Sequence, residues 1–145
     1  MGTRTLLKPS AMPRIADVLH TLFATNEPLD LVLSRFFAKD YRQRVNGRWL
    51  SRDEAVAHFE HLQKIVNTVQ VRVLDELIQG LKYADRHVVT VHKKDGSVTV
   101  QEVYLFAELD AQGRFRKVEE VTLMLEGTVP DQMICLLYTS PSPRD

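Results

Sequence analysis

The chain has 145 residues, 19 Lys+Arg against 19 Asp+Glu, and is 44% hydrophobic and 26% charged. That suits one soluble domain, able to bury roughly 70% of its unfolded surface without a disulfide or metal. Zero formal charge removes any general attraction to nucleic acid or anionic membrane, and no apolar run approaches the ~20 residues that span a bilayer, so neither partner is expected.

The two ends are set apart from the rest. MGTRTLLKPSAMPR lacks the apolar stretch of a signal peptide, and Leu6 breaks the myristoylation pattern that Gly2 would open, so a cytoplasmic location is expected. Residues 1–12 read as a loose leader, with Met12 an alternative start. CLLYTSPSPRD, from Cys135 to Asp145, agrees codon for codon with a translated transposase sequencing adapter. It reads as a non-native tail. A single domain over residues 13–134, truncated at its C-terminus, is then expected, and the only cysteine carries no thiol or redox argument.

In chain order, Pro13 to about Thr25 has Ile15, Val18, Leu19, Leu22 and Phe23 at helical spacing. Asn26-Glu27-Pro28 stops that helix, and Leu29 to Ala38 forms a shorter one. Asn46-Gly47, between Tyr41 and Trp49, suits a tight turn joining two short strands. Ser51-Arg52-Asp53-Glu54 is a capping box opening a third helix, with Ala55, Phe59, Leu62 and Val66 on one side. From Val69 the period becomes two. Strands are predicted at Val69–Val73, Arg86–Lys94, Ser97–Leu109 and Arg114–Glu126, with a hairpin at Asp95-Gly96. Helices followed by an antiparallel meander give an α+β fold.

A two-residue turn at Asp95-Gly96 would pair Lys94 with Ser97 and His92 with Thr99. Pairing Leu109 with Arg114 would put Leu105 opposite Val118 and Gln101 opposite Thr122. One face then carries Val88, Thr90, His92, Thr99, Gln101, Val103, Leu105, Val118, Glu120, Thr122 and Met124. The other carries Val89, Val91, Val98, Val100, Tyr104, Phe106, Phe115, Val121, Leu123 and Leu125 with interspersed charges. Neither face is purely polar, so one is expected to pack on the helices around a pocket and the other to meet a second copy in a homodimer.

The element order, FFAKDY leaving the second helix, the Asp95-Gly96 hairpin, LDAQGRFRKVEEV and VEEVTLMLEG together resemble the NTF2-like superfamily, and within it the SnoaL-like group. The similarity spans about Pro13 to Gly127. It implies three N-terminal helices packed on a curved, mostly antiparallel sheet that forms a cone, with the first face lining an internal pocket. Members include isomerases, cyclases, dehydratases and non-catalytic binders, so fold alone does not give activity. The resemblance puts Leu105 and Val45 where the ketosteroid-isomerase acids would stand, which excludes that chemistry.

The cyclase-like pattern fares better, with Glu120 as its acid and Gln101 and Thr122 as polar helpers. A carboxylate in an apolar pocket is desolvated, which raises its pKa and suits a general base. The competing role for Glu120 is an ion pair with Arg116 or another rim arginine. Val103, Leu105 and Val118 would complete an apolar lining. His92 forms a second polar spot near the hairpin end, and Tyr41 and Trp49 flank the early hairpin, where a ligand ring could rest. Both also have structural roles open to them. His20 is a remoter candidate on the first helix. Arg42, Arg44, Arg48 and Arg52 form a short basic cluster suited to an anionic group. Glu54, His58 and His61 have helical spacing but not a zinc pattern, so no metal is expected. Neither a P-loop, nor G-x-G-x-x-G, nor G-x-S-x-G occurs, and no cofactor is called for. The expected partner is a small, partly apolar molecule.

Overall fold

The computed structural model describes residues 14–24 and 27–127. The expectations for residues 1–13, for Asn26, and for the tail from Cys135 to Asp145 lie outside them. Three helices come first or early: α1 (Ile15–Ala24), α2 (Leu29–Phe36) and α3 (Arg52–Ile65). The strands are β1 (Phe37–Val45), β2 (Arg48–Ser51), β3 (Val66–Gln79), β4 (Lys82–Lys93), β5 (Val98–Leu109) and β6 (Phe115–Glu126).

Local chemistry fixes the ends of these elements. Asn46 and Gly47 adopt positive φ angles of 50° and 89°, the conformation a two-residue hairpin between β1 and β2 requires. Ser51 caps α3: its hydroxyl accepts from the Glu54 N–H at 3.2 Å, and the Glu54 carboxylate accepts from the Ser51 N–H at 2.8 Å. In α1, Ile15, Val18, Leu19 and Leu22 are buried at positions i, i+3, i+4 and i+7, which is one helical face.

The strands make one sheet in the order β2-β1-β6-β5-β4-β3, antiparallel except for β1 beside β6. The helices cover one side of it. Their apolar faces and alternate strand residues merge into a single core that includes Phe37, Phe59, Leu62, Tyr83, Leu105 and Phe115. Phe37 holds three of these rings together, with centroids 4.5 Å from Tyr41, 6.0 Å from Phe59 and 6.1 Å from Phe115.

The expected cone does not form. The sheet is open, with β2 and β3 as its edges, and is neither closed nor strongly curled. β2 has only four residues with which to meet β3, and the helices fill the covered side as a separate layer instead of being wrapped.

One register also differs from expectation. The β4–β5 hairpin closes at Lys93 and Ser97, through Lys93 N–H to Ser97 O at 2.9 Å, around a three-residue loop. Gly96, at φ +92°, supplies the left-handed residue such a loop needs, and Asp95 accepts from the Ser97 N–H and hydroxyl. Thr99 therefore pairs with Val91, not His92. A slip of one residue reverses faces. Tyr83, Asp85, His87, Val89 and Val91 point to the covered side, while Thr90 and His92 turn to the open side. The β5–β6 pairing is displaced by two residues, with Leu105 opposite Glu120 and Gln101 opposite Met124. An even displacement keeps the faces from Lys117 onward, but a bulge between Glu108 and Leu109 turns Phe115, expected on the other face, into the core.

Candidate functional site

Glu120 lies on the covered face, 5% exposed, between Leu105 of β5 and Val45 of β1. Asn46 positions this stretch. Its N–H donates to the Glu120 carbonyl at 3.0 Å, and its side-chain oxygen accepts from the Thr122 N–H at 2.9 Å, continuing the ladder where β1 has ended. The Thr122 hydroxyl donates to the Glu120 carboxylate at 3.2 Å. Tyr41, also buried, donates to Gln43 Oε1 at 2.7 Å. Burial, and then the negative charge of Glu120, push the Tyr41 phenol well above its ordinary pKa. A carboxylate, a hydroxyl, a phenol and an amide thus share an otherwise apolar part of the sheet.

The other expected residues separate. Val103, Leu105 and Val118 are buried around this group. Gln101 is on the same face but four residues from Leu105, roughly 13 Å along the strand, so it does not stand beside Glu120. His92 faces the open side. Trp49 is 43% exposed, with the Arg42 guanidinium 4.6 Å over its ring, and so parts company with buried Tyr41. Arg116 pairs with Asp40 at 3.4 Å, and Arg44 with Glu119 at 3.8 Å. His20 and His61 are exposed, and Glu54 is engaged in the α3 cap.

A second polar group was not anticipated. The His87 ring is 2% exposed, with Nδ1 3.0 Å and 3.2 Å from the two Asp85 oxygens. Nδ1 and the Asp85 carboxyl thus share one hydrogen between them. Asp85 Oδ2 lies 3.5 Å from the Tyr83 hydroxyl, which accepts from the Ile15 N–H at 3.1 Å and donates to Glu76. Arg14 closes the chain on Glu76 at 2.6 Å. Burial and the Glu76 hydrogen bond drive the Tyr83 phenol well above its ordinary range. This network ties the start of α1 to β3 and β4. Its signal in the sequence was the alternation Tyr83-Ala84-Asp85-Arg86-His87, legible only with a three-residue loop at Lys94–Gly96.

Comparison with known proteins decides the fold. No model of a known protein family matches the chain. An uncharacterized protein of Schizosaccharomyces pombe is 30% identical over 100 residues, covering 69% of this chain and 76% of that protein. An NTF2-like protein of unknown function from Exiguobacterium superposes with a TM-score of 0.61 at 18% identity, over 74% of this chain and 93% of the other. A Shewanella denitrificans protein assigned as a SnoaL-like polyketide cyclase gives 0.60 at 8% identity, over 73% and 85%. This chain has the NTF2-like, SnoaL-like fold.

Several clefts open on the surface of the described residues. One of about 360 Å³ is lined by Leu77, Tyr83, Ala84, Phe106, Glu108 and Lys117. There Lys82 and Lys117 hold the Glu108 carboxyl below its usual range by hydrogen bonding to it. A second, of about 830 Å³, lies against Tyr41, Arg42, Trp49, Ser51 and Arg52. A third, of about 400 Å³, is bounded by His20, Phe23, Asn67, Thr68 and Val69. Among the described residues no helix is long and apolar enough to cross a membrane.

Proposed function

We propose that this NTF2-like protein binds a small, mostly apolar molecule on the covered face of its sheet and that Glu120 acts there as a general base. The reaction class is proton abstraction beside a carbonyl, as in an isomerisation, cyclisation or dehydration, with no cofactor called upon. The supporting observation is the placement of the Glu120 carboxylate, almost wholly buried among Val45, Val118 and Leu105 and touched by the Thr122 hydroxyl. Withdrawal from water strengthens such a base, and Thr122 and the nearby Tyr41 phenol would orient it and a substrate oxygen. Relatives named for SnoaL-like cyclase and isomerase activities are consistent with this class.

The test is proton exchange. A panel of small ketones and β-keto esters in D2O is followed by NMR for deuterium entering beside the carbonyl. Catalysed exchange is expected for at least one member, with about a 10²- to 10⁴-fold loss in Glu120→Gln. Undiminished exchange in that variant removes Glu120 from the role.

A non-catalytic binding module is the second reading. It is favoured by clefts that a ligand can occupy away from Glu120, such as the one at Leu77, Tyr83 and Phe106. Binding of a panel member without any exchange selects it. In either case the open face, with exposed Leu77, Tyr104, Phe106, Val121, Leu123 and Leu125, is proposed to meet a second copy of the chain.

A further inference from the structure

Far from Glu120 on the covered face, β5 presents Thr99 and Gln101, two residues apart and both without exposure. Thr99 Oγ1 and Gln101 Oε1 have no hydrogen-bond partner among the described residues. The Gln101 amide nitrogen reaches only the Met124 sulfur, at 4.0 Å. Buried polar atoms are nearly always paired in native proteins, because losing water without replacing its hydrogen bond is costly. Two such atoms on neighbouring same-face positions call for a common explanation.

A third polar group lies within reach. His87 pairs with Val103 across β4 and β5, and Gln101 with Val89, so His87 and Gln101 are diagonal neighbours on one face. Asp85 engages Nδ1 of this ring, which leaves Nε2 as the ring nitrogen available to a ligand. The strip therefore offers an unpaired acceptor at Gln101 Oε1, a hydroxyl at Thr99 that can accept or donate, and a ring nitrogen at His87. Val89, Val91 and Val103 surround it, all buried.

We infer that Thr99, Gln101 and His87 form a subsite for the hydroxyl group of a small, uncharged, mostly apolar alcohol or phenol. Gln101 Oε1 is an acceptor without a donor and Thr99 Oγ1 can also accept, which selects a ligand group that donates. The aliphatic surroundings select an apolar body. This inference rests on the reading that the covered face takes a small molecule, and it adds the substrate class and an anchor at the opposite end from Glu120.

Two measurements test it. In the first, Thr99→Val and Gln101→Met each replace an unpartnered polar group by an apolar one of similar shape. Each is expected to raise the melting temperature by about 2–6 °C. A fall of that size shows the polar atoms to be paired within the protein and overturns the subsite. In the second, phenol and benzene are titrated into isotopically labelled protein. Phenol is expected to move the His87 ring nitrogens and the Gln101 side-chain amide, to bind at least about tenfold more tightly than benzene, and to lose that advantage in either variant. Equal affinities, no binding, or shifts confined to Glu120 and Thr122 overturn it. The exchange assay stays separate: exchange that needs Glu120 without a phenol response at His87 refutes the subsite alone, and the converse refutes the base alone.

Discussion

The two faces of β5 make the sharpest contrast in the molecule. Thr99, Gln101, Val103, Leu105, Ala107 and Leu109 are buried under the helices, while Tyr104 and Phe106, on alternate residues of the same strand, stand 45% and 71% exposed. The covered face mixes buried polar groups into an apolar layer. The open face mixes exposed apolar groups into a charged one, with Glu102, Glu108, Lys117 and Glu119 among them. Each face thus holds the residue type that its surroundings penalise. A buried polar group needs a partner, and a large exposed apolar area needs a cover. The difference separates the two proposals: chemistry among buried polar side chains on one side, and association of two copies on the other.

Polar pairs test the contrast most strongly. Asp85→Ala strips the His87 ring of its Asp85 partner inside the core and is expected to cost about 3 kcal/mol in urea denaturation. Asp75→Ala removes a pair of similar geometry, 2.7 Å from Arg86, on the solvent side of β3 and β4, and should leave the midpoint nearly unchanged. Comparable losses from both would mean that the open side is not in water.

Adjacent apolar residues sharpen it. Leu105→Ala, opposite Glu120, should cost about 2–5 kcal/mol by opening a cavity. Phe106→Ala, one residue on, should change the stability of an isolated chain by less than about 0.5 kcal/mol. If a second copy covers the open face, the Phe106 effect grows and becomes dependent on protein concentration, because association stabilises the fold by mass action. A flat concentration series, with a monomer by light scattering, removes the dimer from the proposal.

Much of this was legible in the sequence because helical and strand periods are local. The capping box at Ser51, the Asn46-Gly47 turn and the buried stripe of α1 follow from side-chain spacing alone, and the faces of β5 and of β6 beyond Phe115 survived a two-residue displacement. The face of β4 did not. It hinged on whether Gly96 ended a two-residue or a three-residue loop, a choice set by hydrogen bonds at Lys93 and Asp95 that periodicity does not record. That one residue exchanged His92 for His87 and brought Asp85 to the covered side. The cone failed for a different reason: closure depends on whether distant edge strands meet, and no local pattern reports that.

The buried tyrosines give the smallest effect and a signed dependence on pH. Tyr41 and Tyr83 are both neutral phenols whose pKa values the fold raises above the ordinary value near 10. For a group that the fold keeps protonated, stability is complete below the unfolded pKa and declines as pH rises above it, because the unfolded chain releases a proton that the native state retains. Each tyrosine should therefore steepen the loss by about 1.4 kcal/mol per pH unit above pH 10. Tyr41→Phe gives up the hydrogen bond to Gln43, so it should be less stable than the parent at pH 7 by about 1 kcal/mol. Above pH 10 it lacks one of the two ionisations, so its stability should fall less steeply and the two curves should converge near pH 11. Parallel curves in that range would place the Tyr41 hydroxyl in contact with water, and with it the neighbouring end of the covered face that holds Glu120.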